Sequence, residues 1–352
     1  MSKFILSKKK ALEQFEKVRR ISDIVSYSSK TNPKLTPILE RKTNCMFSIH
    51  MVTELKNIVD YSRVLFLAQA WNEEVILDLL MKGIRWFVID NENDFKELYN
   101  LIKMNDIRDR FGKINLLFRM KLKENTLRTE KYYVFGIFSD VIVKLISKIE
   151  EEGNRDSFEN IGIHFHRKSQ NISEWKLKFE LENTFKSEFF EKINVINIGG
   201  GLPSIYSNTN IQIFEGIFLK IKEIKDWLNK KGINLMIEPG RFIAAPAGRL
   251  VSRVIGLHED TIIVDASVYN GDLDALVIPV KLLIDGESKN KMPGYKQYII
   301  KGITPCSLDL FRYRVYLKEK QIGDKIIFLN AGAYNFSSDF CDMEPLETEM
   351  IE

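Results

Sequence analysis

Between residues 23 and 240 the chain repeats a single texture, in which a short run rich in β-branched and aromatic residues is followed by a stretch with helical spacing. The runs are DIVSYSS (23–29), CMFSI (45–49), RVLFLAQ (63–69), RWFVID (85–90), INLLFRMKL (114–122), IGIHFH (161–166), VINIGG (195–200) and NLMIEPG (234–240). Amphipathic stretches at 72–82, 93–104, 138–151, 173–192 and 209–231 lie between them. Apolar strands joined by helices imply a parallel sheet covered on its faces. About eight such strands is the number that closes a (β/α)8 TIM-type barrel. An open doubly wound sheet produces the same texture and stands as the alternative.

Past Glu238 the texture changes. Runs such as RLVSRVIGL, TIIVDASV, YIIKGI and DKIIFLN are separated by Gly, Asp, Asn and Pro, with little helical periodicity. A chain of 352 residues exceeds one ordinary small core. The expected organisation is therefore a barrel over residues 10–240, followed by a C-terminal all-β, barrel-like domain over 241–352 to which residues 1–9 could add a strand. The closing EPLETEMIE resembles a last strand without a tail, as expected of a chain cut from a longer one.

Bulk properties narrow the function. A net charge of +4 is mild, and Lys8-Lys9-Lys10 and Arg19-Arg20 lack interleaved aromatics, so they are expected on solvated helix faces rather than against nucleic acid. Cys45, Cys306 and Cys341 have neither the parity of a disulfide framework nor metal-ligand spacing, which fits a reducing cytoplasm and no zinc site. No apolar run approaches the roughly 18 residues of a membrane span, and the N-terminus places its basic residues after its apolar stretch, unlike an export signal.

In a barrel, chemistry gathers where the strands end at their C-terminal side. Lys30 ends the first run, Arg119 lies near the end of the fifth, His166 ends the sixth, Gly199, Gly200 and Gly201 end the seventh, and Glu238 ends the eighth. Three glycines leave backbone amides uncovered for a phosphate, although a tight ligand-free loop is equally consistent with them. An amine at a buried strand end is poised to form an imine, while most such lysines are simply solvated. A carboxylate such as Glu238 needs a partner: a protonated pyridine nitrogen, or a salt bridge to Arg119 or Arg241. His166 could lie flat on an aromatic ring or serve as a hydrogen-bonded core histidine. His164, on the same strand, is expected to face the other side.

Taken together, these segments resemble the fold-type III pyridoxal-phosphate decarboxylases, which include the ornithine, diaminopimelate and carboxynorspermidine enzymes. YSSKTNP resembles the segment bearing the Schiff-base lysine, here Lys30. FHRKS resembles the segment whose His stacks on the pyridine ring and whose Ser binds phosphate, here His166 and Ser169. IGGGLP corresponds to the phosphate loop. IEPGRF resembles the signature placing Glu238 on the pyridine nitrogen and Arg241 near the phosphate. AGAYN implies a phosphate contact from Tyr334, and LLFRM implies a structural active-site arginine at Arg119. The resemblance implies pyridoxal 5'-phosphate as cofactor, α-decarboxylation as activity, and a homodimer with shared active sites, in which a cysteine loop from the partner reprotonates Cα.

Departures from the family pattern bear on the substrate. GITPCSLD (302–309) places Pro305 where the family has the proton-donating Cys and Cys306 where it has an acidic residue, so either the loop is shifted by one residue and Cys306 still acts or both roles have changed; Asp309 is the expected substrate contact. Ser48 stands for an Asp, Lys168 for a Gly and Val134 for a Lys. A nonstandard small-molecule or peptide-conjugate substrate is therefore expected, such as a 3-amino-3-carboxypropyl group in antibiotic biosynthesis. An ordinary ornithine, lysine or diaminopimelate decarboxylase and a non-catalytic decarboxylase-like regulator are the alternatives.

Overall fold

The computed structural model describes residues 1–121, 135–167, 170–171, 175–210, 212–334 and 337–352. It forms two compact units: Phe15–Leu202 with Gln212–Gly240, and Met1–Gln14 with Pro203–Ile211 and Arg241–Glu352. Strand β1 (Lys3–Ser7) belongs to the latter.

The former unit holds β2 (Ile24–Ser28), β3 (Met46–Ile49), β4 (Val64–Ala68), β5 (Trp86–Ile89), β6 (Ile114–Arg119), β7 (Phe158–His164), β8 (Val195–Asn197) and β9 (Asn234–Ile237). All pair in parallel with their sequence neighbours, and Ile24 pairs with Met236 to close the barrel. The open-sheet alternative is thereby excluded. Helices between the strands follow the anticipated apolar spacing. Ile213–Asn229, for instance, buries Ile217, Ile221, Ile224 and Leu228, one stripe at helical period. Asn72 and Asn91 start Glu73–Met81 and Glu92–Lys103 by accepting hydrogen bonds from backbone amides of the first turn. The stretch 173–192, expected to be one helix, divides into Leu177–Thr184 and a 3-10 turn at Ser187–Glu191, and Lys186 between them is extended.

Leu65, Val88, Leu117, Val195 and Met236 form one fully buried cluster. Because β4 and β8 stand on opposite sides of the ring, residues from both can meet only across the lumen, so this face points inward. Side chains two residues apart share a face. The next inward row therefore contains Arg119, His164, Asn197 and Glu238, directly above the apolar layer.

In the other unit, β10 (Gly248–His258), β11 (Thr261–Val264), β12 (Leu283–Ile284), β13 (Tyr295–Lys301), β14 (Leu310–Lys318), β15 (Lys325–Leu329) and β16 (Glu347–Ile351) form a sheet ordered β12-β15-β10-β11-β13-β14. Residues 1–9 do supply a strand: β1 runs antiparallel to β10 and parallel to β16. The unit is not purely β, because short helices occupy Arg241–Ala247, Val268–Gly271 and Asp274–Val277.

Candidate active site

The residues singled out in the sequence lie close to, but not always on, the strand ends. Lys30 sits two residues past β2, in the 3-10 turn Ser29–Thr31. Its side chain remains open to solvent, yet the surrounding wall withholds enough water to lower its pKa, while Glu238 and Glu54 pull the other way. Arg119 closes β6 and donates to Asp90 Oδ1 at 2.9 Å, under the ring of Phe135 at 4.7 Å.

Glu238 follows β9 and is wholly buried. Burial opposes its charge, but His164, with Nε2 3.2 Å from Oε1, together with His166 and His50, outweighs it and brings the carboxyl down to about 2. Asn197 Nδ2 also donates to Oε1, at 2.6 Å. The expectation that His164 faces away from the site is wrong: residues 164 and 166 are two apart and share a side. Their rings lie 6.4 Å apart at 25°. His166, beyond the end of β7 rather than on it, is pushed down to about 3 by the barrel wall around it, with Glu238 opposing, although the ring itself still reaches solvent.

The glycine loop is more occupied than its composition suggests. Gly199 N donates to Asn197 Oδ1 at 2.8 Å and Gly200 N to His166 Nδ1 at 3.3 Å, so two of the three amides expected to be uncovered already have partners. Gly199 is required for a different reason. It has φ +65°, and a Cβ there would stand 2.3 Å from the Phe165 carbonyl oxygen.

Four predicted residues belong to the other unit. Arg241, expected near a phosphate, is buried in a bidentate pair with Asp274 and donates to the Tyr206 hydroxyl at 2.8 Å; these acceptors raise its pKa against the effect of burial. Tyr334 packs its ring 5.0 Å from that guanidinium and adopts φ +56°, a strained setting for a non-glycine. Cys306 Sγ lies 3.1 Å from the Tyr269 hydroxyl, which lowers the thiol's pKa. Asp309 does not face a substrate. It is fully buried, with Oδ1 accepting from Val268 N at 2.7 Å and Oδ2 from Thr304 N and Oγ1 at 3.0 and 2.7 Å. Its carboxylate holds the 302–309 loop in shape, and Gly302 is needed because a Cβ would strike it. Ser169, Lys168 and Val134 lie outside the described residues.

Sequence reasoning missed Asn197, His50, Glu54 and Asp90. The signal for Asn197 was present: a polar residue within VINIGG, two before Gly199, on the face that period-two spacing assigns to the lumen. His164, His166 and Glu238 present donor atoms within 4.8 Å of one another, a set able to hold a metal ion. It suits a cationic heteroaromatic ring as well, since it combines a buried anion, a flat neutral imidazole, and a second imidazole whose Nδ1 lacks a hydrogen-bond partner among the described residues. With a depressed lysine amine at the same mouth, the residues present fit pyridoxal phosphate.

Residues 9–245 match the family described as pyridoxal-dependent decarboxylase, pyridoxal binding domain. The chain is 24% identical over 358 residues to a diaminopimelate decarboxylase of Methanocaldococcus jannaschii, covering 93% of this chain and 78% of the relative. It is also 28% identical to antizyme inhibitor 2 of Xenopus laevis, over 56% of this chain and 48% of that protein. The fold is shared with diaminopimelate decarboxylase from Helicobacter pylori complexed with L-lysine, at TM-score 0.81 and 18% identity, covering 100% of this chain and 92% of the other.

Proposed function

This chain belongs to the pyridoxal-dependent decarboxylase family and is a pyridoxal phosphate-dependent carboxy-lyase of the diamino-acid decarboxylase type; from that premise we propose the roles of its residues and its substrate. The observation that carries the assignment is Glu238, buried yet held anionic at about 2, in the same barrel mouth as a lysine of lowered pKa. Bound pyridoxal phosphate supplies a sink for the electron pair left when an α-carboxylate departs as CO2. Lys30 would hold it through Nζ and yield that place to the substrate amine. Glu238 would keep a proton on the ring nitrogen, an arrangement only an ionised carboxylate can sustain. His166 would lie against the ring. Gly199, Gly200, Gly201 and Ser169 would bind the phosphate, and Arg119, fixed by Asp90, would keep the mouth in shape.

The substrate we favour is a small diamino acid. The diaminopimelate decarboxylase named above supports this more than it supports the specialised peptide-conjugate chemistry that the loop departures suggest. We assign reprotonation of Cα to Cys306, in a two-fold dimer whose partner loop completes each site. In support, the thiol is partly exposed and already engaged with Tyr269 in a loop fixed by Asp309. The decisive experiment measures CO2 release from diaminopimelate, lysine, ornithine, carboxynorspermidine and aminocarboxypropyl conjugates, alongside the absorbance of bound cofactor. A yellow protein that turns over a free diamino acid, with colour and turnover both absent in Lys30→Ala, is expected. Turnover of a conjugate alone would overturn the substrate reading, and a protein that stays colourless with added cofactor would favour a regulator.

A further inference from the structure

His50 has no part in the chemistry above, and its position relative to Lys30 follows from strand register. Ser28 of β2 pairs with Ser48 of β3. Two residues further along each chain stand Lys30, in the 3-10 turn Ser29–Thr31, and His50, in the bend that follows β3, so both leave the barrel wall from paired, neighbouring strands. The turn carrying Lys30 packs directly on β3.

The loop around His50 is tightly held. Glu54 Oε1 accepts from His50 N and Met51 N, each at 2.9 Å, and stands 4.0 Å from His50 Nδ1. That gap is too long for a hydrogen bond, and neither His50 Nδ1 nor Glu54 Oε2 has a hydrogen-bond partner among the described residues. A carboxylate behind Nδ1 favours the tautomer with its proton there, leaving the lone pair on Nε2. Burial lowers the imidazole to about 4, with Lys30, His164 and Arg119 acting in the same direction and Glu238 against them, so the ring is neutral at any ordinary working pH. Those four groups, with Glu54, are the charges that bear on it.

We propose that His50, backed by Glu54, is a positioning residue that receives the Lys30 ammonium whenever that amine is not engaged by the cofactor. A neutral acceptor suits this task. A carboxylate in direct contact would lock the lysine as a stable ion pair, whereas an imidazole offers one hydrogen bond and leaves the net charge to Glu54, one shell further out. The lysine stays at hand and can be released. No bond between heavy atoms is made or broken; the proton remains on Nζ while the amine is held and passes to a solvent water when it leaves.

The inference rests on Lys30 being the cofactor lysine, and the test separates the two. In the full-length chain before cofactor is added, the pH dependence of Lys30 acetylation by acetic anhydride, read by mass spectrometry of the Lys30 peptide, gives the midpoint of the amine directly. His50→Leu removes the acceptor, so the ammonium should be less stable and the midpoint should fall by about one pH unit, a tenfold change in the free-amine fraction at a given pH. Glu54→Gln keeps an oxygen for the two backbone amides and should also lower the midpoint. His50→Gln, which retains an acceptor, should stay near wild type, and it guards against misfolding of the leucine variant. The rate at which cofactor absorbance appears on reconstitution near neutral pH should rise in His50→Leu in step with acetylation. Midpoints unchanged in His50→Leu and Glu54→Gln would overturn the proposal, as would a His50→Gln midpoint that falls with His50→Leu. If instead the midpoints shift but Lys30→Ala still gains cofactor colour, His50 holds Lys30 and the cofactor assignment is what fails.

Discussion

Replacing Glu238 with Gln isolates the charge at the centre of the site. The variant keeps the side chain's length and an oxygen to accept from Asn197, and loses only the anion. In the folded protein burial acts against that anion, but His164, with His166 and His50 behind it, brings the carboxyl from an ordinary 4.5 to about 2, a difference equivalent to about 3 kcal/mol at 1.36 kcal/mol per unit. Because the folded value is the lower one, this stabilisation is complete above about pH 4.5 and is lost as pH falls through 2. Between pH 5 and pH 3 the wild type should therefore lose about 2 kcal/mol more than Glu238→Gln. All four tryptophans, Trp71, Trp86, Trp175 and Trp227, lie in the barrel unit, so urea unfolding followed by their fluorescence monitors that unit. The same variant should retain cofactor colour and lose at least about tenfold in kcat, about 1.4 kcal/mol of barrier. Parallel pH profiles for the two proteins would refute the His164–Glu238 pairing, and undiminished turnover would refute its use in catalysis.

Gly199→Ala should lower barrel stability by about 2 kcal/mol or more, since its Cβ must displace the Phe165 carbonyl from a backbone with φ +65°; an unchanged urea midpoint would show that the loop relaxes freely. If Cys306 serves the neighbouring subunit, Lys30→Ala and Cys306→Ala proteins should each be nearly inactive, and an exchanged mixture should regain about a quarter of wild-type activity, one intact site in half of the dimers. Exchange without recovery, or a fully active Cys306→Ala, would remove Cys306 from the mechanism.

The barrel was legible because its eight strands are buried on both faces, and that burial writes continuous apolar runs between amphipathic helices. All eight recur, and Lys30, Arg119, Glu238 and the glycine loop lie at their ends. Local sequence could not show the split of 173–192, where extended Lys186 ends one helical segment before another begins. Nor did it settle how far a strand's alternation continues: His166 lies past β7, and His164, assigned outward, is the residue that holds Glu238 anionic.

The sequence by itself determined the repeating architecture and the kinds of group at the mouth, because burial and period act along a single chain and leave their mark there. Only the tertiary structure decided how those groups are employed. Arg241 closes on Asp274, 33 residues away, Asp309 closes on Val268 rather than facing a ligand, and the turn carrying Lys30 packs on β3, the strand that leads into His50. Whether a charge is spent on the fold or left free for chemistry depends on which distant partner arrives within hydrogen-bonding reach, and the spacing of residues along the chain carries no record of that distance.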